Sequence, residues 1–147
     1  MAIQLSTGLR NALLDTGSIK GTLDLGFIKI YTGTAPASAD DAETGTLLCT
    51  ISVDGLGGGI SFDTNATSGS LYKAPGEAWQ GTVGNGGGVA GYYRHIGASD
   101  TGVSSTTEPR IQGSIGVSGA DMNFSDTTLV DAATQSIDYY IVTMPAS

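Results

Sequence analysis

The sequence predicts an all-β domain, a jelly roll or β-sandwich of about eight antiparallel strands, with one short N-terminal helix. Apolar and polar residues alternate from Arg110 to Val117, and a Gly-containing turn follows at 118–121, a pattern typical of antiparallel strands. The chain has 23 glycines in 147 residues and only 14% charged residues, which favours many turns. Its Val, Ile, Tyr and Thr content argues against disorder, and the absence of a fixed-period repeat argues against a solenoid or propeller.

The N-terminal part carries the helical pattern. Residues 5–15 place Leu5, Leu9, Ala12 and Leu13 on one face. Ser6 or Thr7 can cap the helix, and Gly17 can end it. Such a short helix must dock by its leucine face, and we therefore expect a helical segment or arm over 1–20 and a single β-sandwich domain over 21–147.

Period-two alternation resumes after the helix and continues to the end of the chain. The predicted strands, in order, are 27–31, 46–53, 71–73, 78–83, 89–96, 110–117, 122–124 and 137–144. Long loops are expected at 32–45 and 97–109, and a tight turn at Asp54-Gly55. The Gly-rich runs at 57–59 and 86–88 fit turns rather than phosphate loops, since neither ends in G-K-[ST].

Charge and cysteine usage limit the classes of partner. There are 14 acidic and 6 basic residues, for a net charge of −8, so the basic footprint of a nucleic-acid-binding protein is missing. No run approaches the roughly 20 apolar residues of a membrane span. The single cysteine, Cys49, shares a strand face with apolar neighbours, which predicts a buried side chain and fits assembly in a reducing cytoplasm.

Residue types suited to catalysis do not form a recognisable site. His95 is the only histidine, it lies mid-strand, and no G-x-S-x-G elbow accompanies it, so we interpret it as a strand-face residue at an edge or subunit interface. The acids Asp40, Asp41 and Glu43 fall in an Ala-rich loop and are expected to be solvated. Clustered Cys and His ligands for zinc are absent. The sequence therefore predicts no enzyme and no cofactor.

Two tyrosine pairs point to an interaction surface. Tyr92-Tyr93 and Tyr139-Tyr140 each place one ring on either face of a strand. One ring of each pair should enter the core, and the other should be exposed or should meet a partner. Exposed tyrosine is common in protein interfaces.

Three stretches of the chain carry a resemblance to a known family. Residues 28–53 contain T-G-T-A-P and, further on, T-G-T-L-L; residues 87–96 read G-G-V-A-G-Y-Y-R-H-I; residues 111–124 read I-Q-G-S-I-G-V-S-G-A-D-M-N-F. A last strand ending I-V-T-M-P-A-S follows. In this order the motifs resemble the capsid cement, or head decoration, proteins of tailed bacteriophages.

The resemblance implies a jelly-roll-like domain that binds the outer surface of an icosahedral shell, as a homodimer or homotrimer, and clamps adjacent major capsid subunits. Its partners would be the major capsid protein and itself, without nucleic acid or membrane. The flexible N-terminal segment and the loops at 32–45 and 97–109 could reach neighbouring subunits. The candidate capsid or subunit contacts are Leu5, Leu9, Arg10, Pro36, Tyr92, Arg94 and Tyr140.

Two other functions remain open at this point. One is another virion part of similar size, associated with the neck, the tail or a fibre. The other is a carbohydrate-binding β-sandwich, for which Trp79 and Tyr72 are the candidate aromatic platform.

Overall fold

The computed structural model describes residues 3–15 and 17–146. The all-β class is confirmed, in an arrangement consistent with a sandwich, while the jelly-roll topology stays a prediction. The elements are β1 (Gln4–Leu5), α1 (Thr7–Leu14), α2 (Ile19–Leu23), β2 (Phe27–Thr32), β3 (Leu47–Val53), β4 (Ser70–Tyr72), β5 (Trp79–Thr82), β6 (Gly88–Ile96), β7 (Arg110–Gly116), β8 (Met122–Asn123), β9 (Thr128–Leu129), β10 (Thr134–Ile137) and β11 (Ile141–Thr143).

Most strands belong to one main sheet with the order β1-β7-β6-β2-β3-β5-β10, while β8 lies beside β7 and β9 beside β6. Strands β4 and β11 form a separate two-stranded sheet. All of these pairs are antiparallel, as predicted, except the two-residue pair β7–β8, which is parallel. Two long connections cross the domain, and we call them the β2–β3 loop (33–46) and the β6–β7 loop (97–109).

The apolar core lies between one face of the main sheet and the helices and small sheet that cover it. The main sheet contributes core side chains from alternate positions of β2, β3, β6 and β7. The layer packed against it contributes core side chains from α1, α2, β4 and β11. Cys49 is buried in this core as predicted, and burial raises the pKa of its thiol to about 11. No helix in the described ranges is long and apolar enough to cross a membrane.

The N-terminal helix forms where its pattern predicts it. Ser6 is its N-cap and accepts a hydrogen bond from the N–H of Leu9. A second helix, α2, was not expected; Ser18 caps it in the same way, through the N–H of Gly21. In its described part the expected arm is integrated into the domain, because β1 pairs with β7 and the helix buries Leu9 completely.

The structure has eleven strands in its described residues, where about eight were expected. Strands β1 and β9 were missed because two residues carry no periodicity. The long terminal strand expected over 137–144 is wrong: it breaks at 138–140 into β10, which joins the main sheet, and β11, which joins β4. The turn at Asp54-Gly55 is confirmed, with positive φ at both residues (55° and 69°).

Candidate interaction site

A buried arginine anchors both long loops to the second face of the main sheet. Arg110, the first residue of β7, donates from Nε and Nη2 to the two carboxylate oxygens of Asp100, at 2.6 and 2.8 Å. Both side chains are fully buried. Its other N–H groups donate to the main-chain carbonyls of Ala39, Asp41 and Val103. One side chain thus joins the β2–β3 loop to the β6–β7 loop.

A buried glutamine joins the N-terminal strand β1 to the β2–β3 loop. Gln112 Nε2 donates to Gln4 Oε1 at 2.6 Å and to the carbonyl of Pro36 at 3.0 Å. Its Oε1 accepts from Arg94 Nε at 2.8 Å. The Nη1 and Nη2 atoms of Arg94 are buried and have no hydrogen-bond partner in the described part of the chain. Burial, and then the charge of Arg110, lower the pKa of Arg94.

Two tyrosines fix the middle of the β2–β3 loop. The rings of Tyr31 and Tyr92 stack with centroids 4.9 Å apart. The Tyr92 hydroxyl donates to the carbonyl of Thr44 at 2.6 Å and accepts from its N–H at 2.9 Å, and the Tyr31 hydroxyl donates to Glu43. Burial, and then this carboxylate, raise the pKa of Tyr31.

The start of α1 is bonded to the same loop. The N–H and the hydroxyl of Thr7 donate to the two oxygens of Asp40, at 2.7 and 2.6 Å, and Arg10 donates to the Thr7 hydroxyl at 2.8 Å. The hydrogen bonds from Thr7 hold the pKa of Asp40 below its usual range. The carbonyl of Asp40 also accepts from Ser105 N–H in the β6–β7 loop. The expectation that Asp40 and Glu43 are merely solvated loop charges is therefore wrong.

These contacts bring three separate segments into one surface, which we call the loop face: the start of α1 (7–10), the β2–β3 loop and the β6–β7 loop. Two predicted contact residues, Arg10 and Pro36, lie on it, Arg10 exposed and Pro36 half-buried. Val103 presents the largest exposed apolar side chain of the β6–β7 loop, at 61% exposure. The loop face thus combines one cation, the exposed side chain of Val103 and main chain held in a fixed conformation.

The other predicted contacts lie elsewhere. Leu5 is half-buried in β1 rather than in the helix. Four side chains are buried within the chain and leave no surface for a partner, which corrects their assignment: Leu9, Tyr92, Arg94 and Tyr140. Leu9 packs in the apolar core, and Arg94 and Tyr92 lie under the β2–β3 loop.

The two tyrosine pairs behave differently. Tyr92 and Tyr93 are both buried, so the expectation of one exposed ring there is wrong. The β2–β3 loop covers the strand face that would otherwise be exposed to solvent. In the second pair the expectation holds, with Tyr140 buried and Tyr139 exposed by 77%. The exposed ring is therefore Tyr139, whereas Tyr140 was the one assigned to an interface.

His95 is buried in the centre of the main sheet, not at an edge or interface. Its Nδ1 lies 3.0 Å from the Tyr140 hydroxyl, and burial lowers the pKa of its imidazole to about 3. It is therefore neutral and out of reach of a substrate. In residues 3–15 and 17–146, no group of three or more His, Cys, Asp or Glu side chains could hold a metal ion.

The aromatic platform expected for a sugar does not form as predicted. Trp79 is buried, and its Nε1 donates to Glu77 Oε2 at 2.8 Å. The same carboxylate oxygen accepts from the N–H of Ser61, so Glu77 ties the indole to the backbone. Tyr72 shares a cavity of about 350 Å³ with Tyr139 instead.

The polar layer beneath the loop face is the feature that sequence reasoning missed. The sequence does contain a pattern that indicates this layer. Arg94, Arg110 and Gln112 lie in strands, at positions where a strand face buried against apolar side chains would carry an apolar or small residue. Arg94 also pairs directly with Gln112 across β6 and β7. Large hydrogen-bonding side chains at paired positions indicate a strand face covered by main chain, because loop carbonyls need donors.

Comparison with protein-family models, with curated proteins and with solved structures finds no match for this chain.

Proposed function

We propose that this chain is a capsid cement protein, which binds the outer surface of an icosahedral phage shell and stabilises contacts between major capsid protein subunits. The observation that supports it best is the loop face. The segments expected to reach neighbouring subunits, the N-terminal one and the two long loops, come from distant parts of the sequence and meet on one surface.

The loop face is organised before it meets a partner. Arg110 bonds to both loops from a buried position, and Thr7 joins the helix start to Asp40. A surface fixed in this way loses less conformational entropy on binding than free loops do. Each contact can then be small, because many copies act together on a closed lattice.

Stabilisation follows from selective binding. If the protein contacts neighbouring subunits at once, it binds the assembled shell and not separate subunits. Binding to one state only shifts the equilibrium toward that state by mass action. The cement function therefore needs a surface of the right shape and no catalytic group.

Charge favours a basic partner surface. The net charge is −8, and of the six basic residues two, Arg94 and Arg110, are buried. Of the others, Arg10 is the exposed cation on the loop face. An acidic surface of this kind repels the packaged genome and favours capsid surfaces with Lys and Arg, so binding should weaken as salt increases.

Co-sedimentation with undecorated capsids tests the proposal, with one matched pair of variants. Val103→Asp places a charge on the loop face; Val130→Asp makes the same change in the turn between β9 and β10, where exposure is similar (66% against 61%). We expect wild type to saturate at on the order of hundreds of copies per particle. Val103→Asp should weaken binding by about tenfold or more, the effect of roughly 1.4 kcal/mol, and Val130→Asp should bind as wild type.

Other outcomes point to the other functions. Saturation at about a dozen copies or fewer would place the protein at the neck, the tail or a fibre, where few symmetry-related sites exist. No binding to capsids would contradict the cement function and would direct attention to glycans at the cavity shared by Tyr72 and Tyr139. Equal binding by Val103→Asp and wild type would show that the loop face is not the contact, and an equal loss in both variants would show that the loss is not specific to the loop face.

A further inference from the structure

A second surface of the molecule is a groove beside β11. It has a volume of about 610 Å³ and lies where the small sheet stops short of the β1–β8 end of the main sheet. Tyr93 and Ile111 line it from the main sheet and are themselves almost fully buried. Ile3, Tyr139 and Met144 also line it and are all more than half exposed. An apolar floor with an exposed apolar rim is typical of a binding groove.

One wall of this groove is an open strand edge. In the β4–β11 ladder, Lys73 N–H donates to the carbonyl of Tyr140, and Met144 N–H donates to the carbonyl of Gly69. Since hydrogen-bonded pairs alternate in an antiparallel ladder, the main-chain groups of Ile141 and Thr143 point away from β4. In the described residues no hydrogen bond reaches these outward N–H and C=O groups.

The other edge of the small sheet is occupied. The carbonyl of Tyr72 accepts from Asp63 N–H, and Ser70 exchanges hydrogen bonds with Thr67. Strand β11 is therefore the edge at which this sheet can grow. A strand added there would lie along the groove, over the floor formed by Tyr93 and Ile111.

The groove has room for a single extended segment but not for a second folded copy of this chain. A second copy that paired its own β11 antiparallel to this one would be related by a twofold axis perpendicular to the small sheet. Its main sheet would then lie on the side where β1, β7 and β8 already lie. An extended segment without a folded layer beneath it has no such overlap.

The charge of the groove indicates which side chains the bound segment should carry. The groove is lined by one acidic side chain, Asp121, and by no Lys or Arg among the described residues. A segment with apolar side chains toward the floor and a basic residue near Asp121 matches it; an acidic segment does not.

We propose that the open edge of β11 binds an extended segment of a neighbouring shell subunit as an added β-strand. This inference rests on the proposed function and names the partner element of that function. Main-chain hydrogen bonds to Ile141 and Thr143 supply affinity, and the apolar floor and Asp121 supply specificity. Because Ile3 and Leu5 line the groove while Gln4 contacts the β2–β3 loop, the groove and the loop face adjoin at β1.

A proline at the open edge tests this. Thr143→Pro removes an outward N–H and keeps the ladder to β4, and proline is tolerated at strand edges. Thr143→Val is the matched control, since both variants lose the hydroxyl that lies 2.9 Å from Ser70 Oγ. In co-sedimentation with undecorated capsids we expect Thr143→Pro to bind about tenfold or more weakly than Thr143→Val, which should stay close to wild type.

Amide hydrogen exchange of the wild-type protein, free and on capsids, supplies a readout that needs no variant. The amides of Ile141 and Thr143 should slow on binding, because each gains an acceptor, and the Val142 amide, already paired with β4, should change less. If wild type binds capsids while Thr143→Pro binds equally and these amides do not slow, the inference is overturned and the cement function stands. If wild type does not bind capsids, both fail.

Discussion

A few buried polar residues decide how this domain presents its surface. Arg110 makes five hydrogen bonds to two loops from a site with no solvent, and Asp100 neutralises it. A buried pair of this kind adds little net stability compared with apolar residues, but removing one partner leaves an uncompensated charge. The role of Arg110 is therefore to define one conformation of the loop face.

Arg110→Met should lower the free energy of unfolding by about 3–5 kcal/mol, because Asp100 stays buried without its partner. Urea unfolding measures this loss. Lys20→Met is the control: it breaks the partly exposed pair of Lys20 with Asp24, which should contribute only about 1 kcal/mol or less. Equal effects of the two variants would contradict the anchoring role of Arg110.

The buried histidine makes stability depend on pH. Burial lowers the pKa of His95 to about 3 in the folded chain, whereas an unfolded histidine titrates near 6.5. Between these values only the unfolded chain binds the proton, so the free energy of unfolding falls as the pH falls, by about 1.4 kcal/mol per pH unit. Asp40, whose folded pKa is lowered, adds a further loss of stability in the more acidic range.

Urea unfolding at several values between about pH 7 and pH 5 tests this assignment, with His95→Gln as the comparison because it keeps a polar partner for the Tyr140 hydroxyl. The wild-type slope should disappear in the variant. A slope that persists unchanged in His95→Gln would show that other groups cause it.

Residue faces were the hardest feature to predict from the sequence. An interpretation from period-two alternation takes one strand face as buried and the other as exposed to solvent. By that rule Tyr92 and Arg94 share a face that is available to partners. The long loops fold back over this face and shield it from solvent, so both residues are buried. A covering of this kind depends on contacts between residues far apart in sequence, and local periodicity does not record those.

At the scale of elements, α1 is held by its N-terminus. The Ser6 hydroxyl donates to the carbonyl of Glu108 and accepts from the N–H groups of Leu9 and Arg110, so one cap joins the helix to the start of β7. Gly8 lies against the backbone of the β6–β7 loop, where a Cβ would overlap the carbonyl of Thr107. The helix docks closely because this position has no side chain.

Gly8→Ala should therefore destabilise the protein by about 1–3 kcal/mol through overpacking, although alanine is the better helix former. Gly21→Ala in α2 meets only the hydroxyl of Ser18 at 3.1 Å and should be neutral or should stabilise by up to about 1 kcal/mol. Thermal unfolding of the two variants checks the difference. A stabilised Gly8→Ala protein would contradict the close docking of α1.

The strands from β2 to β8 all match the expected ranges within one or two residues. The longer ones, β2, β3, β6 and β7, have enough residues to show their period. Helix α1 was recognised from its leucine spacing and cap, whereas the five-residue helix α2 has too few turns for such a pattern. The terminal strand was misjudged, because alternation alone does not show where a chain changes from one sheet to another.

At the scale of the whole molecule, the two surfaces that we propose as contact regions adjoin on one domain. The loop face is fixed by Arg110 and Gln112, and the groove beside β11 has an open strand edge. A shell subunit could contact the first with its surface while a neighbouring subunit adds a strand to the second. Such a division would let one copy join two subunits, which is what a cement protein has to do.

The most direct test of this account is the temperature at which undecorated capsids fall apart, measured with and without saturating protein. A protein that binds the assembled shell and not its separated subunits must raise that temperature, and the rise should continue to grow with the logarithm of protein concentration after the sites are full. We predict such a rise with wild type and a smaller rise with Val103→Asp at the same concentration. An unchanged disruption temperature at full occupancy would contradict the cement function.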